Sequence, residues 1–193
     1  MVERRSGGLP SLTVESERER FGPVHAAFIA GDLEALLESL PVCAEFPNGP
    51  MPQAIGTCLE YAIYHSPIGF IGQLLHLGAD PNPPDHGGFP PLIAALASGQ
   101  SGAGVVARVD ALDLLSLLLD HGADPNQRGV NDYTPLHMAV SVGDGAAVEL
   151  LLARGADPLL RTRIDECETA AELALRVGKE DLAFIIYAHR GEA

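Results

Sequence analysis

The sequence predicts an all-α fold, a solenoid of about five helix-turn-helix repeats with β-turn or hairpin connectors. Three observations predict it. Gly-Ala-Asp-Pro-Asn stands at Gly78 to Asn82 and again at Gly122 to Asn126, and Gly-Ala-Asp-Pro returns at Gly155 to Pro158. The separations are 122 − 78 = 44 and 155 − 122 = 33 residues, so one unit carries 44 − 33 = 11 extra residues. Helix-start signals recur at Gly22-Pro23, Thr57-Cys58, Pro90-Pro91, Thr134-Pro135 and Thr169-Ala170, where a hydroxyl can cap the helix and a proline loses no bond at the first turn. Apolar stripes at helical spacing follow as Phe70, Ile71, Leu74 and Leu75, as Leu114, Leu115, Leu118 and Leu119, and as Ala147, Val148, Leu151 and Leu152. One such unit cannot bury its own stripe, so the units must stack.

Taken in order, residues 1–20 hold four acidic and four basic side chains with little periodicity, and a disordered tail is expected there. The repeat domain then spans 21–193. The first unit, 21–51, runs through Val24-His25-Ala26-Ala27 and Gly31-Asp32-Leu33. It lacks the Gly-Ala-Asp ending and passes into an irregular connector with Pro41, Pro47 and Pro50. The second, 52–84, has Cys58-Leu59-Glu60 after its capping threonine and Ser66-Pro67 between its helices. The third, 85–128, carries the 11 extra residues near Ser98 to Gly104, read as a glycine loop followed by a second helix lengthened at its N-terminal end. The fourth, 129–163, is the most regular. The fifth, 164–193, ends in Leu182-Ala183-Phe184-Ile185-Ile186-Tyr187, an apolar run at the end of an array, where a polar outer face is usual.

The fourth unit reads Thr134-Pro135-Leu136-His137-Met138-Ala139, then Gly143, Leu150-Leu151-Leu152 and Gly155-Ala156-Asp157. It resembles one ankyrin repeat, whose signature is T-P-L-H-x-A and whose period is 33. The resemblance covers roughly residues 21–193. It implies a non-enzymatic module that holds another protein in a concave groove, lined by turn tips and the exposed side of each first helix, as inhibitor, adaptor or assembly factor. Carried onto this chain, those positions are Tyr64, His65, His86, Phe89, Ala97, Ser98, Val130, Asn131, Tyr133, Ser141, Val142 and Arg176. Phe89 and Tyr133 occupy one place in successive repeats, where an exposed aromatic would anchor an interface. The resemblance also gives His137, and His25 at the matching place, the task of ordering a neighbouring turn.

Composition bounds the partners. The chain is 47% hydrophobic, has a formal net charge of −14, and has no Lys or Arg from Phe21 to Ala107 against seven acids. Such a body repels nucleic acid and anionic lipid, and it suits a partner with a basic face. No apolar run is long enough to span a membrane and no signal peptide is visible, so a cytoplasmic setting is expected. Cys43, Cys58 and Cys167, an odd set without ligand spacing, agree with a reducing compartment.

Nothing in the sequence gathers catalytic chemistry. His65, His76, His86 and His121 fall in separate settings with no i, i+4 pair, and no cofactor or metal is expected. The glycines of the insertion lack the Lys and Ser/Thr of a phosphate-binding loop. An enzyme built on Arg108, Asp110 and Asp113 at the insertion is the weakest reading. A self-associating structural protein, dimeric through Phe184 and Ile185 where a monomer is otherwise expected, is the main alternative.

Overall fold

The computed structural model describes residues 14–40, 46–49, 56–84, 89–100, 107–164 and 167–191. Ten α-helices lie among them, in five antiparallel pairs. These are α1 (Val14–Ala30) with α2 (Leu33–Ser39), α3 (Cys58–His65) with α4 (Ile68–His76), α5 (Pro91–Ser98) with α6 (Ala111–Asp120), α7 (Pro135–Val142) with α8 (Gly145–Ala153), and α9 (Ala170–Arg176) with α10 (Glu180–Gly191). No strand forms among the described residues. Among the described residues the connectors form turns and an isolated antiparallel bridge, Arg161 with Thr169.

Local chemistry starts each helix. Thr57, Thr134 and Thr169 cap α3, α7 and α9 through their hydroxyls, and Asp32 and Asp144 cap α2 and α8 through a carboxylate. Pro67 stands at the N-cap of α4, as the Ser66-Pro67 pair suggested. Gly143 ends α7 with φ 83°, a left-handed turn that other residues adopt only with strain.

The first helices of successive repeats pack side by side as one layer, and the second helices back them. The predicted stripes point between the layers. Phe70, Ile71, Leu74, Leu114, Leu115, Leu118, Val148 and Leu151 all join one core that runs through the array. Burying each such Leu or Ile is worth about 1.5–3 kcal/mol, so stacking rather than helix propensity holds the pairs together.

A ladder of asparagines fixes the spacing. Asn82 donates from Nδ2 to the Gly122 carbonyl (2.8 Å) and accepts at Oδ1 from the Asp124 N–H (2.6 Å). Asn126 repeats both bonds with Gly155 (3.0 Å) and Asp157 (2.7 Å). Asn48 makes the same pair with Gly78 (2.9 Å) and Asp80 (2.7 Å). The connector of repeat one, read from the sequence as irregular, therefore supplies a clip of the regular kind although it lacks Gly-Ala-Asp.

Two further expectations are corrected. Helix α1 begins at Val14, not at the Gly22-Pro23 signal, and Pro23 lies inside it, so residues 14–20 are helical and not tail; the stretch Glu15 to Arg20 is rich in Glu and Arg, good helix formers. The second helix of repeat three is not lengthened. It starts at Ala111, because the backbone before it is committed elsewhere: Arg108 N–H donates to the Ser98 carbonyl (2.8 Å), closing the base of the insertion. The Arg108 guanidinium donates to the Ile63 and Ser66 carbonyls at the end of α3 (both 2.8 Å) and pairs with Asp110 (2.7 Å). Most of the glycine loop, 101–106, lies outside the described residues, as do residues 1–13 of the expected tail.

Candidate functional site

The turn tips build the candidate surface. In repeat four, Gly129 N–H donates to the Tyr133 carbonyl (2.8 Å), closing a tip with Val130, Asn131 and Asp132 at its end. Asn131 and Asp132 both take φ 60°, a left-handed conformation that Asn and Asp tolerate best among residues with a Cβ. Gly129 is where the tip presses on repeat three: a Cβ there would come within 3.0 Å of Ile93 Cδ1 and 3.3 Å of Pro90 Cδ. Val130, next in the tip, is 59% exposed.

One position ties successive tips together. In repeats two and four, the fourth residue counted from the cap of the first helix reaches the residue that precedes the next repeat's cap. In repeat two this is Glu60, whose Oε1 accepts from the Phe89 N–H (3.1 Å). In repeat four it is His137, only 1% exposed, whose Nε2 lies 3.1 Å from the Glu168 carbonyl and whose Nδ1 lies 2.8 Å from Thr134 Oγ1. A carbonyl only accepts, so Nε2 carries the proton and Nδ1 takes the threonine hydroxyl's. Burial holds His137 below the usual imidazole range, which keeps it neutral for this task. Burial likewise raises the Glu60 carboxyl, against the lowering effect of the Phe89 and Thr57 backbone bonds. His25 differs from the expected role: its Nδ1 meets the Tyr61 hydroxyl at 2.6 Å, a side chain on α3 and not a turn.

The carried-over residues divide. Phe89 is 45% exposed with its backbone pinned by Glu60, and Tyr64, His65, Val130 and Ser141 are also on the surface. Burial, then the charge of Glu60, raises the Tyr64 phenol, while burial and His25 lower His65. Ala97, Asn131 and Val142 are half-buried. Ser98 is not available: it is 4% exposed, its hydroxyl donates back to the Ala95 carbonyl (2.7 Å), and its own carbonyl accepts from the Arg108 N–H. Tyr133 is not the free anchor its match with Phe89 suggested. Its ring packs on the core 5.3 Å from that of His137, and its hydroxyl meets Ser141 Oγ (3.0 Å). Arg176 is engaged with the buried Glu168 carboxylate (2.9 Å from Nε). His86 lies outside the described residues. The His65 ring lies tilted against that of Tyr61, with ring centres 4.4 Å apart.

Glu60, Phe89, Pro90, Arg128 and Gly129 line a cleft of about 30 Å³, room for a water but not for an organic substrate. No group of three or more potential metal ligands forms among the described residues. No described helix is long and apolar enough to cross a membrane.

A family model of ankyrin repeats, in three copies, matches residues 59–162. The chain is also similar to the E3 ubiquitin-protein ligase KEG of Arabidopsis thaliana, with 27% identity over 198 residues that cover 96% of this chain and 11% of that protein. It thus spans about a ninth of that relative's length. The matched stretch holds α4 to α8 and nearly all of α3; the first and last helix pairs lie outside it and continue the same stacking.

Proposed function

Because the chain belongs to the ankyrin repeat family, whose members are interaction modules, we propose that it is a non-enzymatic binding module. It holds a partner protein against its turn tips and the concave face of its first helices, as inhibitor, adaptor or assembly factor. The observation that carries this reading is Phe89: an aromatic ring left in solvent while Glu60 fixes the backbone beneath it. A preorganised aromatic is ordered before binding and loses little entropy on contact. Val130 presents a second apolar tip one repeat away. The acidic stretch from Phe21 to Ala107 suits a partner with a basic surface, and a segment matching a ninth of a ubiquitin ligase suits the recognition part of a larger assembly. A reducing, cytoplasmic setting fits the buried Cys58 and exposed Cys167.

The test is affinity capture followed by binding measurements on the recovered partner. Phe89→Ala should weaken binding by about 2 kcal/mol or more with little change in melting temperature. Tyr133→Ala should lower the melting temperature as well, since its ring is packed. Full affinity in both Phe89→Ala and Val130→Ser sinks the groove reading. The second reading is self-association through repeat five, favoured by Phe184, which is 73% exposed on α10 beside an exposed Tyr187. Sedimentation equilibrium separates the two: a dimer abolished by Phe184→Ser supports the second.

A further inference from the structure

The array brings together two histidines that no local spacing connects. His76 ends α4 and His121 follows α6, and their rings stand edge to face with centres 5.1 Å apart. Each is oriented by its own helix. His76 Nδ1 lies 2.7 Å from the Gly72 carbonyl, and His121 Nδ1 lies 2.9 Å from the Leu117 carbonyl. A carbonyl can only accept, so each Nδ1 carries its proton and each neutral ring keeps its lone pair on Nε2. A backbone carbonyl on one ring nitrogen is the usual support of a metal-bound histidine, fixing tautomer and raising basicity.

The separation also fits. With a metal–nitrogen bond of about 2.0–2.1 Å, two imidazoles on one tetrahedral ion have ring centres about 5 Å apart. Asp113 and Asp120 line the groove between α4 and α6, as do Gly72 and Leu117, whose carbonyls orient the two rings. Asp120 is paired with Arg154 (2.7 Å). The exposed His76 leaves room for water as the remaining ligands.

We propose that His76 and His121 form a binding site for one divalent late transition-metal ion, such as Zn²⁺, completed by water and bridging repeats two and three. The second helices α4 and α6 touch sparsely, whereas α8 and α10 pack closely. An ion held by one residue from each repeat therefore clamps the array where its outer layer is open, adding to stability in proportion to its occupancy. This is independent of the turn-tip surface, which lies on other residues.

The test uses the full chain and ZnCl₂ alone, by calorimetric titration and thermal melting with and without EDTA. We expect one ion per chain, a melting temperature raised by Zn²⁺, and affinity reduced about tenfold or more in either His76→Ala or His121→Ala, since each removes one of two protein ligands. His65→Ala, which removes one ring of the contact between His25 and His65 (ring centres 5.4 Å apart), should bind as the parent does. Wild-type protein gives a second readout independent of variants: substoichiometric Cu²⁺ should broaden the amide NMR signals around His76 and His121 first. Absence of binding, unchanged affinity in both variants, or broadening centred on His25 and His65 overturns the proposal.

Discussion

The junction between repeats two and three and the junction between repeats four and five solve one problem with opposite chemistry. At the same helical position, the first uses the carboxylate of Glu60 to accept an N–H, and the second uses the imidazole of His137 to donate to a carbonyl. The geometry of stacking needs a side chain that reaches the next tip; it does not dictate the polarity of the bond. The outer layers differ as well. Between repeats four and five, α8 and α10 pack together, while α4 and α6 leave a groove. At the insertion, Arg108 substitutes for missing packing by tying the base of the loop to the end of α3. The difference teaches that a conserved stacking geometry can be met by packing at one joint and by polar clips at another.

The largest effect should come from the packed joint. Leu151, fully buried, should cost about 2–5 kcal/mol when changed to Ala, because the cavity forms where both layers are closed. Leu74→Ala, equally buried beside the open groove, should fall toward the low end, since neighbours there can relax into the space. Urea titration of both variants checks the order, and a larger loss at Leu74 would break the contrast. Hydrogen exchange should show each loss spreading to adjacent repeats first.

Next come the clips. His137→Ala should cost about 2–3 kcal/mol, since it strands a buried hydroxyl and a buried carbonyl, whereas Glu60→Ala should cost about 1 kcal/mol at its half-exposed site. Equal losses would show that burial does not separate the two joints. Arg108→Ala removes charge-assisted bonds to two carbonyls and should cost about 1.5–3 kcal/mol. Limited proteolysis of that variant should cut the 98–110 segment faster than in the parent, and an unchanged rate would show that the insertion is held by something else.

The smallest effect is pH dependence, and its sign differs between the joints. His137 has a lowered folded pKa, so its contribution is intact above the unfolded value of about 6.5 and is lost as pH falls below it, when the unfolded chain takes the proton first. Glu60 has a raised folded pKa, so its contribution is full below the unfolded value of about 4.3 and is lost as pH rises through the folded one. Acidification from pH 7 should weaken the His137 joint and relieve the Glu60 joint. His137→Gln should flatten the acid limb of a stability–pH curve, and an unaltered limb would show that this histidine does not titrate as described.

Much of the architecture was legible in the residues because it rests on contacts within one turn of helix. Thr57, Thr134 and Thr169 announce caps bonded three residues on, glycines announce ends, and stripes such as Leu114, Leu115 and Leu118 announce the buried face. The exceptions are instructive. Residues Val14 to Arg20 look like tail because they carry no apolar stripe, yet their composition favours the helix they form. Ser98 reads as a loop residue because the insertion follows it, yet it ends α5 in a buried position and its carbonyl is taken by the Arg108 N–H.

By itself, the sequence determined the period, the five helix pairs, the direction of their apolar faces and the acidic character of the first half. Each of these is set by hydrogen bonds between close neighbours or by composition, so no knowledge of distant residues is needed. Tertiary structure alone decided which residues a repeat apart come to meet: Asn82 with Gly122, Glu60 with Phe89, His76 with His121, Arg108 with the end of α3. These pairs stand about 30 to 45 residues apart in the chain, and the 11 extra residues before α6 put several of them off the regular period. Their meeting depends on the register in which the helix pairs stack, and that register follows from the fit of the whole buried layer and from no single short stretch.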